Sequence, residues 1–337
     1  MQYRTIGKGS LKLSEIAFGC GGNAGLMLRG SPAEQDAAIG RALDLGITYF
    51  DNAPDYGDGL AEENLGRALK ALEARPLLNS KVEIRAADLL DIAGHVVRSC
   101  EASLRRLGVD CLDVFQIHNG PSASDPMLEG KVYTQLASAD FQRAGGAIEG
   151  LERLKRTGKI RFAGFICRGD DGDEVRRMLD TNVFALINTP YTLLNPTAGM
   201  AKPSGFSGKD FGNVISSAHE RGAGAAIYAP LAGGWLSDAA IRGEQRHPLA
   251  RAADQQSQNA RKNLARAEAV KFLADENGIS LAQAAYRFIL SNPQVTTALG
   301  GFSSIEQMEE ICAVSGMTPF DEDDHARLNA IWSNFKT

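Results

Sequence analysis

Four polar side chains with complementary chemistry follow strand-like apolar runs. Asp51 and Tyr56 follow the run at residues 47–50, Lys81 ends a second run, and His118 ends a third. A phenol is a poor acid near neutral pH unless a neighbouring cation lowers its pKa, and a lysine can supply that charge. These residue types, each at the end of a predicted strand, indicate one catalytic site for acid–base chemistry.

The elements that position these residues alternate along the chain. Strands are predicted over residues 14–19, 48–51, a run ending at Lys81, 111–118, 160–167, 185–190, 223–229 and 296–300. Helices are predicted from residue 31 to a stop at Gly46, and over 61–72, 92–107, 145–157, 173–180, 212–221, 264–277, 281–291 and 304–313. The first helix starts at a Ser-Pro-Ala-Glu sequence, which combines an N-cap, a proline at the first helical position and a capping glutamate.

About eight strand–helix units predict a parallel sheet closed into a (β/α)8 TIM barrel of the α/β class. The alternative is a doubly wound open sheet, which usually opens with a Gly-rich dinucleotide fingerprint; the Gly-Cys-Gly-Gly at residues 19–22 lacks that spacing. We predict a single domain over residues 1–337, with a C-terminal helix within 319–337. The long βα loops would wall the site, and they are predicted over residues 119–144, 191–211 and 230–260.

Composition narrows the possible partners. The net charge of -5 and the pI of about 5.7 show no excess of basic residues of the kind that binds nucleic acid. Five scattered cysteines indicate reduced thiols. Neither a signal-peptide core nor an apolar run of membrane-spanning length is present in the sequence. We expect a cytoplasmic protein that binds neither nucleic acid nor membrane, and its oligomeric state stays open.

Several motifs together resemble the aldo-keto reductases along most of the chain. The most specific is YFDNAPDYG at residues 49–57, followed by EENLG at 62–66. Supporting matches are YRTIG at 3–7, Ser80-Lys81, LDVFQIH at 112–118 and LKRTGKIR at 154–161. The resemblance implies a barrel that binds a nicotinamide cofactor, NAD(P)H, and reduces carbonyls or oxidises alcohols.

By that resemblance Asp51, Tyr56, Lys81 and His118 form a catalytic tetrad. Tyr56 would donate the proton in reduction and accept it in oxidation, and Lys81 would favour its phenolate. Asp51 would pair with Lys81, and His118 would donate a hydrogen bond to the carbonyl oxygen.

Each tetrad residue alone also has a structural interpretation, as a core tyrosine, a loop-capping aspartate, a solvated lysine or a hydrogen-bonded histidine. Their order and their shared position at strand ends favour catalysis. The other histidines lack ligand spacing, so we predict no metal site.

The resemblance also implies a set of cofactor contacts. Tyr228 would stack on the nicotinamide, and the small residues that follow would let the backbone approach the pyrophosphate. Two carboxamide-binding positions depart from the family pattern: residues 164–167 read Gly-Phe-Ile-Cys, and Asn188 stands in place of a glutamine. Arg168 is either a replacement for these contacts or a solvent-facing residue. The expected contacts are Cys167, Asn188, Tyr228, Pro230, Leu231, Gly233, Gly301, Ser303, Gln307 and Glu310.

The adenosine end of the cofactor site favours NAD(H) over NADP(H). Gly301 and Gln307 stand where NADP-preferring members carry a lysine and an arginine, and no Lys or Arg lies between Gln294 and Val314. A 2′-phosphate needs cationic partners and would be repelled by nearby carboxylates. Alternatively, Glu306 forms a capping box with Ser303 and is unrelated to the ribose.

These patterns predict an oxidoreductase for a small aldehyde, ketone, alcohol or aldose. The alternative is a cofactor-binding regulatory barrel with little or no turnover, and an unrelated barrel hydrolase would need metal ligands or paired carboxylates that the sequence does not present. Candidate substrate-pocket residues, all on predicted loops, are Asn23, Asn119, Tyr191 and Trp235.

Overall fold

The computed structural model describes residues 1–6, 11–21, 25–124, 134–168, 171–248, 250 and 257–335. Its strands are β1 (Tyr3–Thr5), β2 (Lys12–Ser14), β3 (Ile16–Gly19), β4 (Tyr49–Asp51), β5 (Leu77–Val82), β6 (Leu112–Ile117), β7 (Gly120–Ser122), β8 (Gln135–Ala137), β9 (Ile160–Ile166), β10 (Phe184–Pro190), β11 (Gly224–Tyr228) and β12 (Thr297–Gly300).

The helices lie between the strands and outside them. They are α1 (Leu26–Arg29), α2 (Pro32–Asp44), α3 (Leu60–Ala71), α4 (Ile92–Leu107), α5 (Ser138–Gln142), α6 (Ala147–Arg156), α7 (Gly172–Asp180), α8 (Val214–Glu220), α9 (Asp238–Ile241), α10 (Gln258–Val270), α11 (Phe272–Asp275), α12 (Leu281–Ser291), α13 (Ile305–Cys312) and α14 (Glu322–Ser333). No helix in the described ranges is long and apolar enough to cross a membrane.

Within the described residues, eight parallel strands close into a barrel in chain order: β3, β4, β5, β6, β9, β10, β11 and β12. The closed (β/α)8 barrel, with its C-terminal helix, is confirmed. The predicted first helix is α2, and the Ser31 side chain forms the expected capping box with Glu34.

The barrel interior is layered because alternate residues of each strand face inward. The layer nearer the amino-terminal ends of the strands is apolar and contains Ala17, Tyr49, Val114, Leu186, Ala226 and Leu299. Three of these strands carry a polar residue at the next inward-facing position, namely Asp51, Gln116 and Asn188. The polar layer therefore sits at the carboxyl ends of the strands.

An antiparallel hairpin that the sequence patterns did not reveal packs against the apolar layer. Strands β1 and β2 pair, and Ile6, Leu11 and Leu13 join the apolar interior cluster. Arg4 fastens the hairpin by ion-pairing with Glu15 at 2.9 Å and by hydrogen bonding to backbone carbonyls near residues 290–295.

Three other elements differ from the sequence predictions. The predicted strand over 14–19 begins only at residue 16, because Ser14 belongs to the hairpin. The helix predicted over 264–277 is two shorter helices, α10 and α11. The loop after β6 contains a parallel pair of short strands, β7 and β8.

Candidate active site

Asp51 and Lys81 form a buried ion pair at the carboxyl ends of β4 and β5. The Lys81 Nζ atom lies 2.6 Å from Asp51 Oδ1, and the two residues are 1% and 3% exposed. Lys81 also donates to the backbone oxygen of Asn52 at 2.6 Å. A buried charge is tolerated when it is paired and hydrogen-bonded, so this ammonium group is held in one position.

The second carboxylate oxygen of Asp51 is held by amides from two other strands. Asn79 Nδ2 donates to Asp51 Oδ2 at 2.7 Å, and Asn188 Nδ2 donates to the same atom at 3.2 Å. Gln116 links the two amides, accepting from Asn79 at 2.9 Å and donating to Asn188 Oδ1 at 2.8 Å. Gly164 makes room for this link, because a Cβ there would lie 2.9 Å from Gln116 Nε2.

Tyr56 reaches the ion pair from the loop between β4 and α3. Lys81 Nζ donates to Tyr56 Oη at 3.3 Å and lies 5.0 Å from the centre of its ring. The loop turns through three residues with positive φ, Gly57, Asp58 and Gly59. At Gly57 a Cβ would lie 2.4 Å from Leu28, so both the conformation and the space favour glycine.

His118 stands beside Tyr56 and completes the predicted tetrad. Its ring meets the Tyr56 ring edge-on, with 6.1 Å between their centres. Its Nδ1 lies 3.3 Å from Asp55 Oδ2 and 3.7 Å from Glu83 Oε2. The structure therefore brings all four predicted catalytic residues together and adds two carboxylates that sequence reasoning did not assign.

Burial keeps the His118 ring neutral. It lowers the His118 pKa to about 3, with the hydrogen bond to Asp55 opposing and the charges of Lys81 and Arg168 reinforcing the change. Burial alone would raise the pKa of Asp55, but its contacts with His118 and Arg85 leave that pKa below its usual value. Burial raises the pKa of Glu83, against hydrogen bonds from Thr134.

Asp55, Glu83 and His118 also bear on the prediction that there is no metal site. Each offers one potential ligand atom, and these atoms lie within 4.8 Å of one another. Protein partners already hold the carboxylates: Arg85 donates to Asp55 Oδ1 at 2.9 Å, and the Thr134 backbone donates to Glu83 Oε1 at 2.7 Å. Protein donors therefore already occupy one oxygen of each carboxylate, and the absence of a metal site stays a prediction.

Two adjoining cavities form a cleft across the carboxyl end of the barrel. The first, about 330 Å³, is lined by the tetrad together with Ile166, Arg168, Asn188 and Tyr228. The second, about 430 Å³, shares Ala229, Pro230 and Gly301 with the first. It is also lined by predicted cofactor residues, namely Leu231, Gly233, Ser303, Gln307 and Glu310.

A larger cavity, about 1050 Å³, lies away from these residues, at the amino-terminal ends of β5, β6 and β9. Three of the arginines that line it are paired with carboxylates, Arg67 with Asp36, Arg106 with Glu62 and Arg161 with Asp113. In (β/α)8 enzymes the active site lies at the opposite face, so we assign the chemistry to the smaller cleft.

The wall of the cleft after β11 is a tight loop with strained backbone. Ala229 and Ala232 both have φ of 50°, a region that non-glycine residues rarely enter, and Gly233 and Gly234 also have positive φ. Such conformations concentrate at ligand-binding sites. The preceding Tyr228 is fixed by its hydroxyl, which donates to the backbone oxygen of Cys167 at 3.0 Å.

The far end of the cleft is held by side chains at the start of α13. Ser304 caps this helix, and Gln307 Oε1 accepts from the Ser303 backbone at 3.0 Å. The cap is therefore Ser304 rather than the Ser303 that the alternative interpretation proposed. Glu310 accepts from Ser280 Oγ at the start of α12.

Some predicted site residues do not reach the cavity walls. Asn119 is buried and bonded to the backbone of Ile84, and Tyr191 packs against Phe288 with 4.9 Å between ring centres. Cys167 is buried behind Tyr228, and burial raises its thiol pKa.

Trp235 also lies off the walls of both cavities, stacked under the Arg246 guanidinium at 3.9 Å. Asn23 lies outside the described residues.

Sequence reasoning missed three residues of basic type on the cleft. Arg242, Arg246 and His247 come from the long loop after β11 and line the second cavity together with Gln307. The absence of lysine and arginine near residue 307 had suggested a cleft without cations. The length of the 230–260 loop was the available signal, because a long βα loop reaches over the strand ends.

A family model for the aldo/keto reductase family matches residues 15–333. The chain belongs to the aldo/keto reductase family. Members are oxidoreductases that use a nicotinamide cofactor, which is consistent with the cleft described above.

Curated relatives cover nearly the whole chain. L-glyceraldehyde 3-phosphate reductase of Escherichia coli K12 is 28% identical over 94% of this chain and 89% of its own. L-galactose dehydrogenase of Arabidopsis thaliana is 26% identical over 98% and 94%. A probable voltage-gated potassium channel subunit beta of Arabidopsis thaliana is 26% identical over 92% and 90%.

A solved structure of an aldo-keto reductase from Bacillus halodurans, in its holo form, superposes with a TM-score of 0.70. It is 22% identical, and the match covers 98% of this chain and 96% of that one. At this identity the likeness shows the shared fold.

Proposed function

We propose that the protein transfers a hydride between NAD(P)(H) and a small carbonyl or alcohol substrate, with Tyr56 as the general acid or base. One observation carries the proposal. Lys81 Nζ lies 3.3 Å from the Tyr56 hydroxyl while Asp51 and the Asn52 carbonyl hold it at 2.6 Å. A fixed cation beside a phenol is the arrangement that acid–base catalysis by tyrosine needs.

The roles of the other residues follow from their positions. Asp51 balances the charge of Lys81, and the amides of Asn79 and Asn188 keep the carboxylate from rotating. His118 offers a polar atom beside Tyr56, where it can orient a substrate oxygen. A bound nicotinamide supplies or accepts the hydride. Tyr56 supplies the proton to the carbonyl oxygen, or removes it from the alcohol.

The residues present fit a dinucleotide. The catalytic cavity and its neighbour share Ala229, Pro230 and Gly301, so one elongated ligand can cross both. Tyr228, held by Cys167, presents its ring to the catalytic cavity. The residues that follow Tyr228 are small, and several have positive φ. A ligand that crosses both cavities can therefore approach their backbone closely.

We propose NAD(H) rather than NADP(H). Gln307 takes the place of a cationic side chain and is engaged by Ser303. The arginines that line the same cavity have other partners: Arg242 donates to Glu244 at 2.7 Å, and Arg246 donates to the Gly233 carbonyl at 2.8 Å. A 2′-phosphate would have to compete for them.

The relatives named for glyceraldehyde 3-phosphate and galactose support a small hydroxylated aldehyde or aldose as substrate. The test is absorbance of NADH and NADPH with a panel of aldoses, aldehydes and alcohols in both directions. Turnover with NAD(H) is expected. Tight cofactor binding without turnover on any member of the panel would refute the enzyme proposal.

That last outcome would favour the second candidate, a cofactor-binding regulatory barrel. Its support is the relative named as a potassium channel subunit, together with the altered carboxamide positions at Ile166, Cys167 and Asn188. The assembled tetrad favours the enzyme, because a regulatory protein does not need the Lys81–Tyr56 contact.

We further propose a single cytoplasmic domain that acts on small molecules and binds neither nucleic acid nor membrane. All five cysteines are unpaired, and the net charge is -5. These features support a reducing compartment and small-molecule chemistry.

A further inference from the structure

A closed ring of hydrogen bonds joins Asp51, the partner of Lys81, to three amide side chains. Asn79 Nδ2 donates to Asp51 Oδ2 at 2.7 Å and to Gln116 Oε1 at 2.9 Å. Gln116 Nε2 donates to Asn188 Oδ1 at 2.8 Å, and Asn188 Nδ2 donates back to Asp51 Oδ2 at 3.2 Å. The four members of this amide ring are at most 3% exposed. In a buried network each lost partner is costly, so the ring holds its members in place.

One bond of the amide ring passes over a barrel strand. Strand β9 pairs with β6 on one side and with β10 on the other, so it separates Gln116 from Asn188. Gly164 is the residue of β9 that stands in register with Gln116. A Cβ at Gly164 would lie 2.9 Å from Gln116 Nε2, closer than real Cβ contacts come. The chain therefore carries a residue without a side chain where the Gln116 amide crosses β9.

The amide ring engages both functional atoms of Asn188 inside the barrel. Asn188 lines the catalytic cavity, but only 1% of the residue is exposed. The family resemblance placed a carboxamide contact at this position, where the usual glutamine is longer by one methylene group. To reach a nicotinamide, Asn188 would have to turn its amide away from Gln116 and Asp51. Both of these buried groups would then lose a partner, which is unfavourable.

We propose that Asn188 and Gln116 are positioning residues for Asp51, and that Asn188 does not hold the nicotinamide carboxamide. Asp51 Oδ1 pairs with Lys81 Nζ, which in turn donates to the Tyr56 hydroxyl. Donors on the other carboxylate oxygen keep Asp51 from rotating, so Lys81 stays in place beside Tyr56. The expected effect on turnover rests on the proposed function, whereas the assignment of Asn188 away from the cofactor does not.

A crystal structure of the wild-type protein with bound NADH tests that assignment without any variant. We expect Asn188 Nδ2 to stay within hydrogen-bond distance of Asp51 Oδ2, and the carboxamide to contact other groups. A hydrogen bond between the Asn188 side chain and the carboxamide would overturn the proposal.

Cofactor affinity makes the same distinction in solution. Asn188→Leu removes the amide at nearly constant size, and reduced acetylpyridine adenine dinucleotide carries a methyl group in place of the carboxamide nitrogen. Calorimetric titration gives the affinity ratio of NADH to this analogue, and we expect the same ratio in wild type and variant. A ratio that falls by about tenfold in the variant, as the loss of one hydrogen bond requires, would show that Asn188 binds the carboxamide.

Turnover tests the positioning role. Asn188→Leu and Gln116→Met each open the amide ring and should lower kcat by about tenfold while NADH affinity and the KM for the cofactor stay unchanged. The double variant should lose little more than either single variant, because both substitutions remove the same link. Unchanged kcat in both single variants, or losses that multiply in the double variant, would refute the role.

Thr297→Val is the matched control for these variants. Thr297 lies in β12 of the same barrel, and its buried hydroxyl has no hydrogen-bond partner among the described residues. Removing this hydroxyl should leave kcat unchanged. An equal loss of kcat in Thr297→Val would show that the effect does not depend on the amide ring.

The failures of the two proposals can be told apart. If wild-type protein turns over no substrate, the proposed function fails, while the crystal structure and the affinity ratio still test Asn188. If wild type is active and Asn188→Leu weakens only NADH binding, the proposed function stands and the positioning role fails. If Asn188→Leu does not fold, Gln116→Met and the wild-type crystal structure decide the outcome.

Discussion

On the side of the cleft formed by β4, β5 and β6, the functional groups are side chains held by hydrogen bonds between strands, whereas on the β11–β12 side they are largely backbone. Asp51 receives hydrogen bonds from three residues on two other strands, Asn79 and Lys81 on β5 and Asn188 on β10. Across the cleft the corresponding wall is Ala229, Pro230 and Gly301, with positive φ at Ala229.

The two sides differ because proton transfer and cofactor binding place different requirements on the sequence. Proton transfer needs particular functional groups at fixed positions, so each group is buried and bonded. Cofactor binding needs close backbone approach, which tolerates many side chains provided that they are small. The proposed catalytic side keeps the family motif, while the proposed cofactor side departs from it.

The largest expected effect is that of Tyr56→Phe. This variant tests whether the proton is transferred on the side of the cleft formed by β4, β5 and β6. Loss of the hydroxyl should lower kcat by about 10²–10⁴-fold, the usual contribution of general acid–base catalysis. Steady-state kinetics and NADH binding by fluorescence measure the two effects, and binding should be unchanged.

Tyr228→Phe is the matched control for that variant. It removes the hydroxyl that donates to Cys167 but keeps the ring on the cleft. It should change cofactor affinity more than kcat. Near-normal turnover in Tyr56→Phe would show that another group transfers the proton.

Lys81→Met tests whether the ion pair also stabilises the fold. It leaves the Asp51 carboxylate buried without its cation, and we expect a loss of about 3–5 kcal/mol in the free energy of unfolding. Urea denaturation measures this. In the double variant Asp51→Asn with Lys81→Met, stability should largely return while activity stays absent. A fully stable single variant would contradict the electrostatic account.

Gln307→Arg probes the cofactor side, where we expect a smaller effect. A guanidinium at this exposed position can pair with a 2′-phosphate, so the NADPH affinity should rise by about tenfold relative to NADH. Calorimetric titration of both cofactors gives the ratio. Gln307→Leu, which adds no charge, should leave the ratio unchanged. A wild-type preference for NADPH would show that Arg242 or Arg246 already binds the phosphate.

The smallest expected effect is on the pH dependence of the free energy of unfolding. Near neutral pH His118 stays uncharged and contributes little pH dependence. Its folded pKa of about 3 lies below the ordinary 6.5, so the unfolded chain takes up a proton that the folded chain excludes. This contribution to stability is complete above about pH 6.5 and falls as the pH drops towards 3. Asp55, whose pKa is lowered, acts in the same direction below its unfolded pKa.

The check is the free energy of unfolding of wild type and His118→Gln across the acid range. The wild type should lose more stability than the variant as the pH falls below about 6.5. Parallel curves would show that His118 is not buried as a neutral ring.

The tetrad was predictable because parallel strands in one barrel bring their carboxyl ends to a single face. Asp51, Lys81 and His118 each lie within one residue of the carboxyl end of a strand, and their alignment follows from the fold class alone. The amides of Asn79, Gln116 and Asn188 were harder to interpret. They lie within strands, and their partners stand on other strands, so no local pattern shows that their side chains meet.

For a related reason, only some of the residues predicted to contact the cofactor or the substrate line the two cavities. Gly301, Ser303 and Gln307 line the second cavity, because the strand–helix turn that carries them is local in sequence. Arg242 and Arg246 reach the same cavity from a distant loop, and Asn119 and Tyr191 turn into the protein interior. Loop paths depend on packing against the whole barrel, which periodicity does not encode.

The sequence by itself determined the barrel and its set of candidate catalytic residues, because alternating periodicity and motif order are local properties. Only the tertiary structure decided that Asp55 and Glu83 converge on one nitrogen of His118. That convergence joins the segments that follow the neighbouring strands β4, β5 and β6, and a hydrogen bond depends on distances of a few tenths of an ångström. The sequence therefore specified which groups are available, and the fold decided which of them meet.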